Sequence, residues 1–112
     1  MAGIVFLSTR SLGDVTRFYT SRMDMTVWLD QGDCVILRHG DLTIGFCQRE
    51  HADTCGVITF WYPKKEDVDR RYKDLEDLAE GPPRMNEKYR IYHFFLKDPE
   101  ARRLEIQMFL DL

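Results

Sequence analysis

The sequence lacks any long hydrophobic run. No segment approaches the roughly 20 consecutive apolar residues that a helix needs to cross a bilayer. The first apolar stretch, Met1–Leu7, has no basic segment before it and no cleavage site of the signal-peptide kind after it. These absences argue against a membrane anchor and a secretion signal. We therefore expect a cytoplasmic protein with no membrane partner.

An excess of positive charge is also missing. The chain has 16 lysine and arginine residues against 19 aspartate and glutamate residues, which gives a formal net charge of -3. The basic pairs Lys64-Lys65 and Arg70-Arg71 lie beside acidic residues and are typical of a solvated helix face. Nucleic-acid-binding domains usually carry a basic patch, so we expect no nucleic-acid partner.

The sequence contains only three cysteines, an odd number: Cys34, Cys47 and Cys55. Without a secretion signal this count predicts no disulfide framework. The spacing Cys47-x3-His51-x3-Cys55 offers thiolate and imidazole ligands for zinc. Structural zinc sites usually take four ligands with short paired spacings, and no fourth ligand is evident. We expect buried or loop thiols instead.

Glycine and proline are too few for a fibrous or low-complexity chain. Hydrophobic residues make up 44% of the sequence and charged residues 31%, mixed throughout. This composition predicts a globular protein. At 112 residues the chain has the length of one domain, spanning 1–112.

What is present is one pattern repeated: strand, helix, three strands. In module 1, about residues 1–50, we predict a strand at Gly3–Ser8, a helix with its N-cap at Ser11, and strands at Thr26–Leu29, Cys34–Arg38 and Leu42–Gln48. In module 2, about residues 56–112, we predict strands at Val57–Tyr62, Arg84–Lys88, Tyr89–Leu96 and Leu104–Leu110, and a helix at Glu66–Leu78.

Self-comparison supports a duplication. A shift of 53 residues places Gly3 on Gly56 and Tyr19 on Tyr72, with further matches between them and no gaps. The fold class is therefore α+β: two βαβββ modules in tandem, which form a curled mixed sheet with a central cleft and helices on the outside. Concave, largely apolar clefts are where small molecules bind.

The stretch from Arg90 to Leu110 predicts a hairpin that presents one carboxylate. Two strand-like runs flank a turn in which Pro99 removes a backbone donor. Glu105 lies between apolar neighbours and projects from the opposite face. One interpretation is a carboxylate on a solvated face that pairs with Arg102, with Arg103 or with another strand.

The other interpretation comes from resemblance. The hairpin, with aromatic-x-aromatic, Asp98-Pro99 and Glu105, resembles the closing hairpin of the vicinal oxygen chelate superfamily, which contains glyoxalase I, bleomycin-resistance proteins and extradiol dioxygenases. Arg17-Phe18-Tyr19, followed by Met23-Asp24-Met25, is similar to that family's "RFYxxxLGM" helix. In the metalloenzymes of the superfamily, the counterpart of Glu105 is a metal ligand.

The resemblance also implies where the other ligands should lie. The ligand positions of strands 1, 4 and 5 fall at Ile4, Gly45 and Val57, none of which can bind a metal. One carboxylate does not hold a catalytic metal, which needs about three protein ligands. His39 and His51 fall in predicted loops, and His93, on a strand, is better explained as a hydrogen-bonded imidazole. We therefore expect a metal-free site without a cofactor.

Three functional classes follow. The first is a binding protein of the bleomycin-resistance type that holds a small molecule in the cleft, with Phe6, Trp28, Trp61 and Phe95 as stacking surfaces and Glu105 as a partner for a ligand cation. Core packing is the alternative role of each aromatic residue.

The second class is an enzyme of the same superfamily, of lyase, isomerase or dioxygenase type, that uses Glu105 as base and His93 as acid. The third is an interaction module with a filled cleft. In each case we expect a homodimer, because both chains can then close each cleft.

Overall fold

The structure is a computed structural model that describes residues 2–112. The chain divides into two compact units, with the boundary between Thr54 and Cys55. This boundary falls between the two predicted modules, of which the first ends near residue 50 and the second begins near residue 56. Neither of the helices in the described part of the chain has the length and hydrophobicity that crossing a membrane requires.

The first unit has the predicted βαβββ order. Its elements are β1 (Val5–Thr9), α1 (Leu12–Ser21), β2 (Thr26–Asp30), β3 (Cys34–His39) and β4 (Leu42–Gln48). The strands form a sheet in the order β1-β4-β3-β2. β1 runs parallel to β4, and the other pairs are antiparallel.

The second unit repeats this arrangement. Its elements are β5 (Val57–Trp61), α2 (Lys65–Leu75), β6 (Arg84–Asn86), β7 (Ile91–Lys97) and β8 (Arg103–Phe109). The sheet order is β5-β8-β7-β6, again with one parallel pair, β5 with β8. The α+β class and the two βαβββ modules are therefore confirmed. The helix is shorter than predicted, because the chain turns at Leu75, whose carbonyl accepts the N–H groups of Leu78 and Ala79.

Each helix covers one face of its own sheet. In the first unit Val15 and Tyr19 of α1 are fully buried, and the ring of Tyr19 packs on Phe46 at 5.0 Å between centroids. In the second unit the ring of Tyr72 meets Phe94 edge-on at 5.4 Å. Because strand side chains alternate between faces, the remaining positions point away from the helix.

The start of α1 is capped differently from the prediction. Ser11 is at the N-cap position, but its side chain makes no capping hydrogen bond. Gln48 replaces it, because its Oε1 accepts the backbone N–H of Leu12 at 2.9 Å. Asp14, three residues after Ser11 at the position that completes a capping box, accepts a hydrogen bond from Arg17 at 2.9 Å instead. A side chain that is distant in sequence, Gln48, therefore caps the helix in place of Ser11.

The turn between β7 and β8 is held by a buried carboxylate. Asp98 accepts the backbone N–H groups of Glu100 and Arg102, each at 2.9 Å, and its second oxygen receives the Arg102 guanidinium at 2.9 Å. This network confirms the predicted hairpin. It also engages Arg102 away from Glu105. The interpretation of Glu105 as a solvated carboxylate that pairs with Arg102 is wrong, because Glu105 is buried; its partners are on neighbouring strands, which that interpretation also allowed.

The expectation for the cysteines is corrected by the structure. Cys34 and Cys47 are directly opposed on β3 and β4, with 4.0 Å between their Cα atoms, and they form a disulfide. Strand register brings the two thiols together, and the cysteine count alone could not show this. Cys55 is free and exposed. The zinc pattern loses its first ligand, because a disulfide sulfur is not a thiolate.

The disulfide predicts a measurable stabilisation. It closes a loop with a sequence separation of 13 residues. A loop of that size contributes about 3 kcal/mol to the free energy of unfolding in the chain-entropy model. We expect a Cys34→Ala/Cys47→Ala double variant to lose stability of that order in urea unfolding, and Cys55→Ala to leave it unchanged.

Alkylation of the denatured, unreduced protein checks the pairing itself. One alkylated cysteine per chain, found by intact mass spectrometry, is the expected result. Three alkylated cysteines would contradict the disulfide.

Candidate ligand site on the second sheet

The face of the second sheet that α2 does not cover carries a cavity of about 890 Å³. β6, β7 and β8 supply most of its walls. The polar residues that line it include Arg84, Asn86, His93, Glu105 and Gln107. Apolar rings complete the lining, among them Phe95 and Phe109. The volume is within the range of small-molecule sites, which is about 300–1,000 Å³.

Glu105 is the buried charged residue of this cavity. It lies in the middle of β8 and is only 7% exposed. Thr59 on β5 donates its hydroxyl hydrogen to Oε1 at 2.7 Å. Nδ1 of His93 on β7 lies 2.6 Å from Oε2. Burying a carboxylate is costly unless it is hydrogen-bonded, and the two neighbouring strands supply one partner for each oxygen.

Strand register explains why these three residues meet. Thr59 is directly beside Glu105 across the parallel β5–β8 pair. On the other side Phe95 is directly opposite Glu105, and His93 is one diagonal step away, opposite Gln107. Diagonal neighbours on one sheet face are within reach of long side chains. The contact therefore depends on two strand pairings and not on local sequence.

The contact orients the imidazole of His93. A carboxylate only accepts hydrogen bonds, so the proton between the two groups is assigned to Nδ1. The ring of Phe95 meets the imidazole edge-on at 5.0 Å. Within residues 2–112, no hydrogen-bond partner is found for Nε2. In the neutral ring Nε2 is therefore a free proton acceptor.

Two arginines lie near the Glu105–His93 pair, and only one of them has an ion-pair partner. Arg103 stacks on the ring of Phe95, 3.7 Å from its centroid, and pairs with Glu80 at 3.4 Å. Arg84 is directly opposite His93 on β6, and it makes no ion pair with any other described residue. The cavity thus contains a cation, Arg84, whose charge is not compensated by a direct partner.

The residues predicted from sequence are found in both units. Glu105, His93 and Phe95 lie together at the cavity. Trp61 is also in the second unit, and its ring contacts that of Phe109 at 6.1 Å. Phe6 and Trp28 belong to the first unit, where the guanidinium of Arg38 lies 3.9 Å from the centroid of the Trp28 ring.

Sequence reasoning missed Thr59 and Arg84. Counting in steps of two along β5 from Val57 would have placed Thr59 on the face of Glu105. Arg84 lies in a strand of only three residues, β6, which has little hydrophobic pattern to reveal its register. Its position opposite His93 could not be predicted from sequence.

The residues present do not fit the metal that the resemblance implies. Ile4, Gly45 and Val57 have no donor atoms in their side chains. The ring of Phe6 covers Gly45 so closely that even a Cβ there would overlap it. Elsewhere in residues 2–112, no cluster of three or more histidine, cysteine or acidic side chains is arranged for a metal. Glu105 instead has Thr59 and His93 as partners.

Comparison with known proteins supports the fold. No known family model matches the sequence, and no curated protein sequence matches it. A glyoxalase/bleomycin resistance protein/dioxygenase from Alicyclobacillus acidocaldarius superposes with a TM-score of 0.82 at 16% identity, covering 99% of this chain and 92% of that one. This chain has the glyoxalase/bleomycin resistance/dioxygenase fold.

Two further solved structures agree. Lactoylglutathione lyase from Agrobacterium tumefaciens matches with a TM-score of 0.78 and 17% identity, over 96% of this chain and 92% of the lyase. A family enzyme from Burkholderia phytofirmans PsJN matches with a TM-score of 0.79 and 20% identity, over 96% and 97%. The resemblance found in the sequence is thus confirmed for the fold.

The hydrogen bonds of Glu105 predict its contribution to stability. Glu105→Ala leaves the Thr59 hydroxyl and His93 Nδ1 without their buried acceptor, and we expect a loss of about 2 kcal/mol or more. Thr59→Val removes one of the two bonds and should cost about 1 kcal/mol. Urea unfolding monitored by circular dichroism measures both changes.

Glu80→Ala is the matched control. Glu80 also forms an ion pair, with Arg103, but both side chains are largely exposed. Its loss should cost less than about 1 kcal/mol. Equally small losses in the free energy of unfolding for Glu105→Ala and Glu80→Ala would contradict the burial of Glu105 and its two side-chain contacts.

Proposed function

We propose that this protein is a metal-free, small-molecule-binding member of the glyoxalase/bleomycin resistance superfamily, and that its ligand binds on the open face of the second sheet. The observation that carries the proposal is the buried Glu105–His93 pair at the wall of the 890 Å³ cavity. The sequence predicted a cleft between the modules, whereas this cavity is lined by the second unit alone. An open volume beside a polar pair favours a ligand site over a filled interaction module.

The contact between Glu105 and His93 favours a second candidate, an enzyme of the same superfamily. Proton transfer needs a base held within reach of the substrate. The sequence suggested Glu105 as base and His93 as acid. The geometry favours a different division of roles, in which Glu105 positions the imidazole and Nε2 of His93 exchanges the proton. The candidate reactions are of lyase, isomerase or oxygenase type.

The remaining expectations concern location and assembly. We keep the homodimer and the cytoplasmic location as proposals. The Cys34–Cys47 disulfide bears on the cytoplasmic location, since the cytosol of most cells keeps thiols reduced. The redox state of these cysteines in extracts prepared with rapid alkylation therefore tests it: an oxidised pair would argue for an oxidising compartment.

Ligand binding predicts a specific fluorescence response. Trp61 contacts Phe109, which lines the cavity. A ligand that displaces or stacks on Phe109 should change the emission of Trp61. We expect members of a library of small aromatic compounds to change tryptophan fluorescence saturably, and the response to disappear in Trp61→Phe.

Trp28→Phe is the control, because Trp28 lies in the first unit against Arg38. It should retain the response. Isothermal titration calorimetry on the hits tests binding independently of fluorescence. Silence of the whole library in both measurements would contradict a small-molecule site.

A further inference from the structure

The cavity places an imidazole nitrogen, Nε2 of His93, next to a cation, Arg84, that has no ion-pair partner among the described residues. His93 Nε2 has no hydrogen-bond partner among the described residues, and Nδ1 is fixed by Glu105 at 2.6 Å. Arg84 is directly opposite on the neighbouring strand, and no carboxylate of the described chain pairs with it. A site with this composition is suited to a ligand that can lose a proton and remain as an anion.

We propose that the cavity binds planar compounds that carry one weakly acidic O–H group, and that His93 Nε2 takes up the ligand proton while Arg84 stabilises the anion. This inference rests on the proposed function and names the ligand class of that same site.

The proton transfer is balanced without any further reactant. The ligand O–H bond breaks, its electron pair stays on the ligand oxygen, and an N–H bond forms at Nε2 of His93. The imidazole becomes an imidazolium that keeps Nδ1–H directed at the Glu105 carboxylate. Nothing is oxidised or reduced.

The charges around His93 support this assignment. The charged groups around it are Glu105 on β8, Arg84 on β6, Glu87, which lines the cavity just after β6, and the Arg103–Glu80 pair, which is compensated within itself. After proton transfer, the imidazolium would neutralise Glu105, and the ligand anion would neutralise Arg84. Glu105 is a poorer partner for a ligand cation than the sequence suggested, because each of its oxygens already has a partner from within the sheet.

The apolar lining explains the planar body of the ligand. Met85, Tyr89 and Phe109 line the cavity, and each is more than a third exposed. Exposed rings at the wall of a cavity provide stacking surface for an aromatic compound. The cavity therefore combines an apolar surface with a proton acceptor, His93, beside a cation, Arg84, and a phenol has the matching groups.

A probe that reports its own ionisation tests the proposal. 4-Nitrophenol is suitable because its anion absorbs visible light and the neutral phenol does not. At a pH below the probe's own pKa, the protein should increase the anion band saturably. A nearby opposite charge shifts a pKa by about one unit or more, so the bound probe should ionise about tenfold more readily than the free probe.

Variants assign the effect to residues. We expect His93→Gln to abolish the increase and Arg84→Gln to weaken it, while His39→Gln, which alters a histidine of the first unit, retains it. Arg84 is exposed, so its variant keeps the test decisive even if His93→Gln fails to fold. Circular dichroism confirms the fold of each variant.

The outcomes separate this proposal from the function on which it rests. A probe that binds with the spectrum of the neutral phenol overturns the proton transfer, and so does an increase that survives both His93→Gln and Arg84→Gln. Library compounds that bind while 4-nitrophenol does not overturn the ligand class but leave the binding function intact. Absence of binding by every compound overturns both.

Discussion

The need to satisfy a buried carboxylate organises the open face of the second sheet. Glu105 is 7% exposed in the middle of β8, where an unpaired charge would be costly. Thr59 from β5 and His93 from β7 each bond one of its oxygens, so three neighbouring strands are tied together by side chains as well as by their backbone ladders. One consequence is chemical. The bond that satisfies Glu105 also fixes the ring of His93 and leaves Nε2 without a partner among the described residues.

The two units have the same order and pairing of strands, but corresponding positions carry polar side chains in one unit and apolar ones in the other. In the second unit, Thr59 and Glu105 are side by side on the parallel strand pair. In the first, the corresponding neighbours are Phe6 and Gly45, where the phenyl ring covers the space above the glycine. The cross-strand disulfide of the first unit adds a covalent tie to its sheet. Repetition of the fold has therefore not preserved the polar pair, and the groups on which the proposed ligand site depends are in the second unit.

Hydrophobic periodicity predicted the order of the elements well, because alternation along strands and the stripe of a helix are local properties of the sequence. Contacts between elements, strand register among them, are not local, and the features that the sequence did not reveal came mostly from such contacts. Three contacts join residues on different elements: the Cys34–Cys47 disulfide, the hydrogen bond from the first residue of α1 to Gln48, and the contact of Glu105 with His93. The position of Glu105 on the face opposite the helix followed from alternation alone, but its partners did not.

The most direct test of this account is the tautomer of His93, measured by ¹⁵N nuclear magnetic resonance of the imidazole nitrogens in the free protein. The account predicts that Nδ1 carries the proton, that this proton is protected and hydrogen-bonded, and that Nε2 is the unprotonated nitrogen of the neutral ring. Glu105→Ala should abolish the protection of the Nδ1 proton. A neutral ring protonated at Nε2 in the wild-type protein would contradict the Glu105–His93 contact, and with it the proton-accepting role of His93.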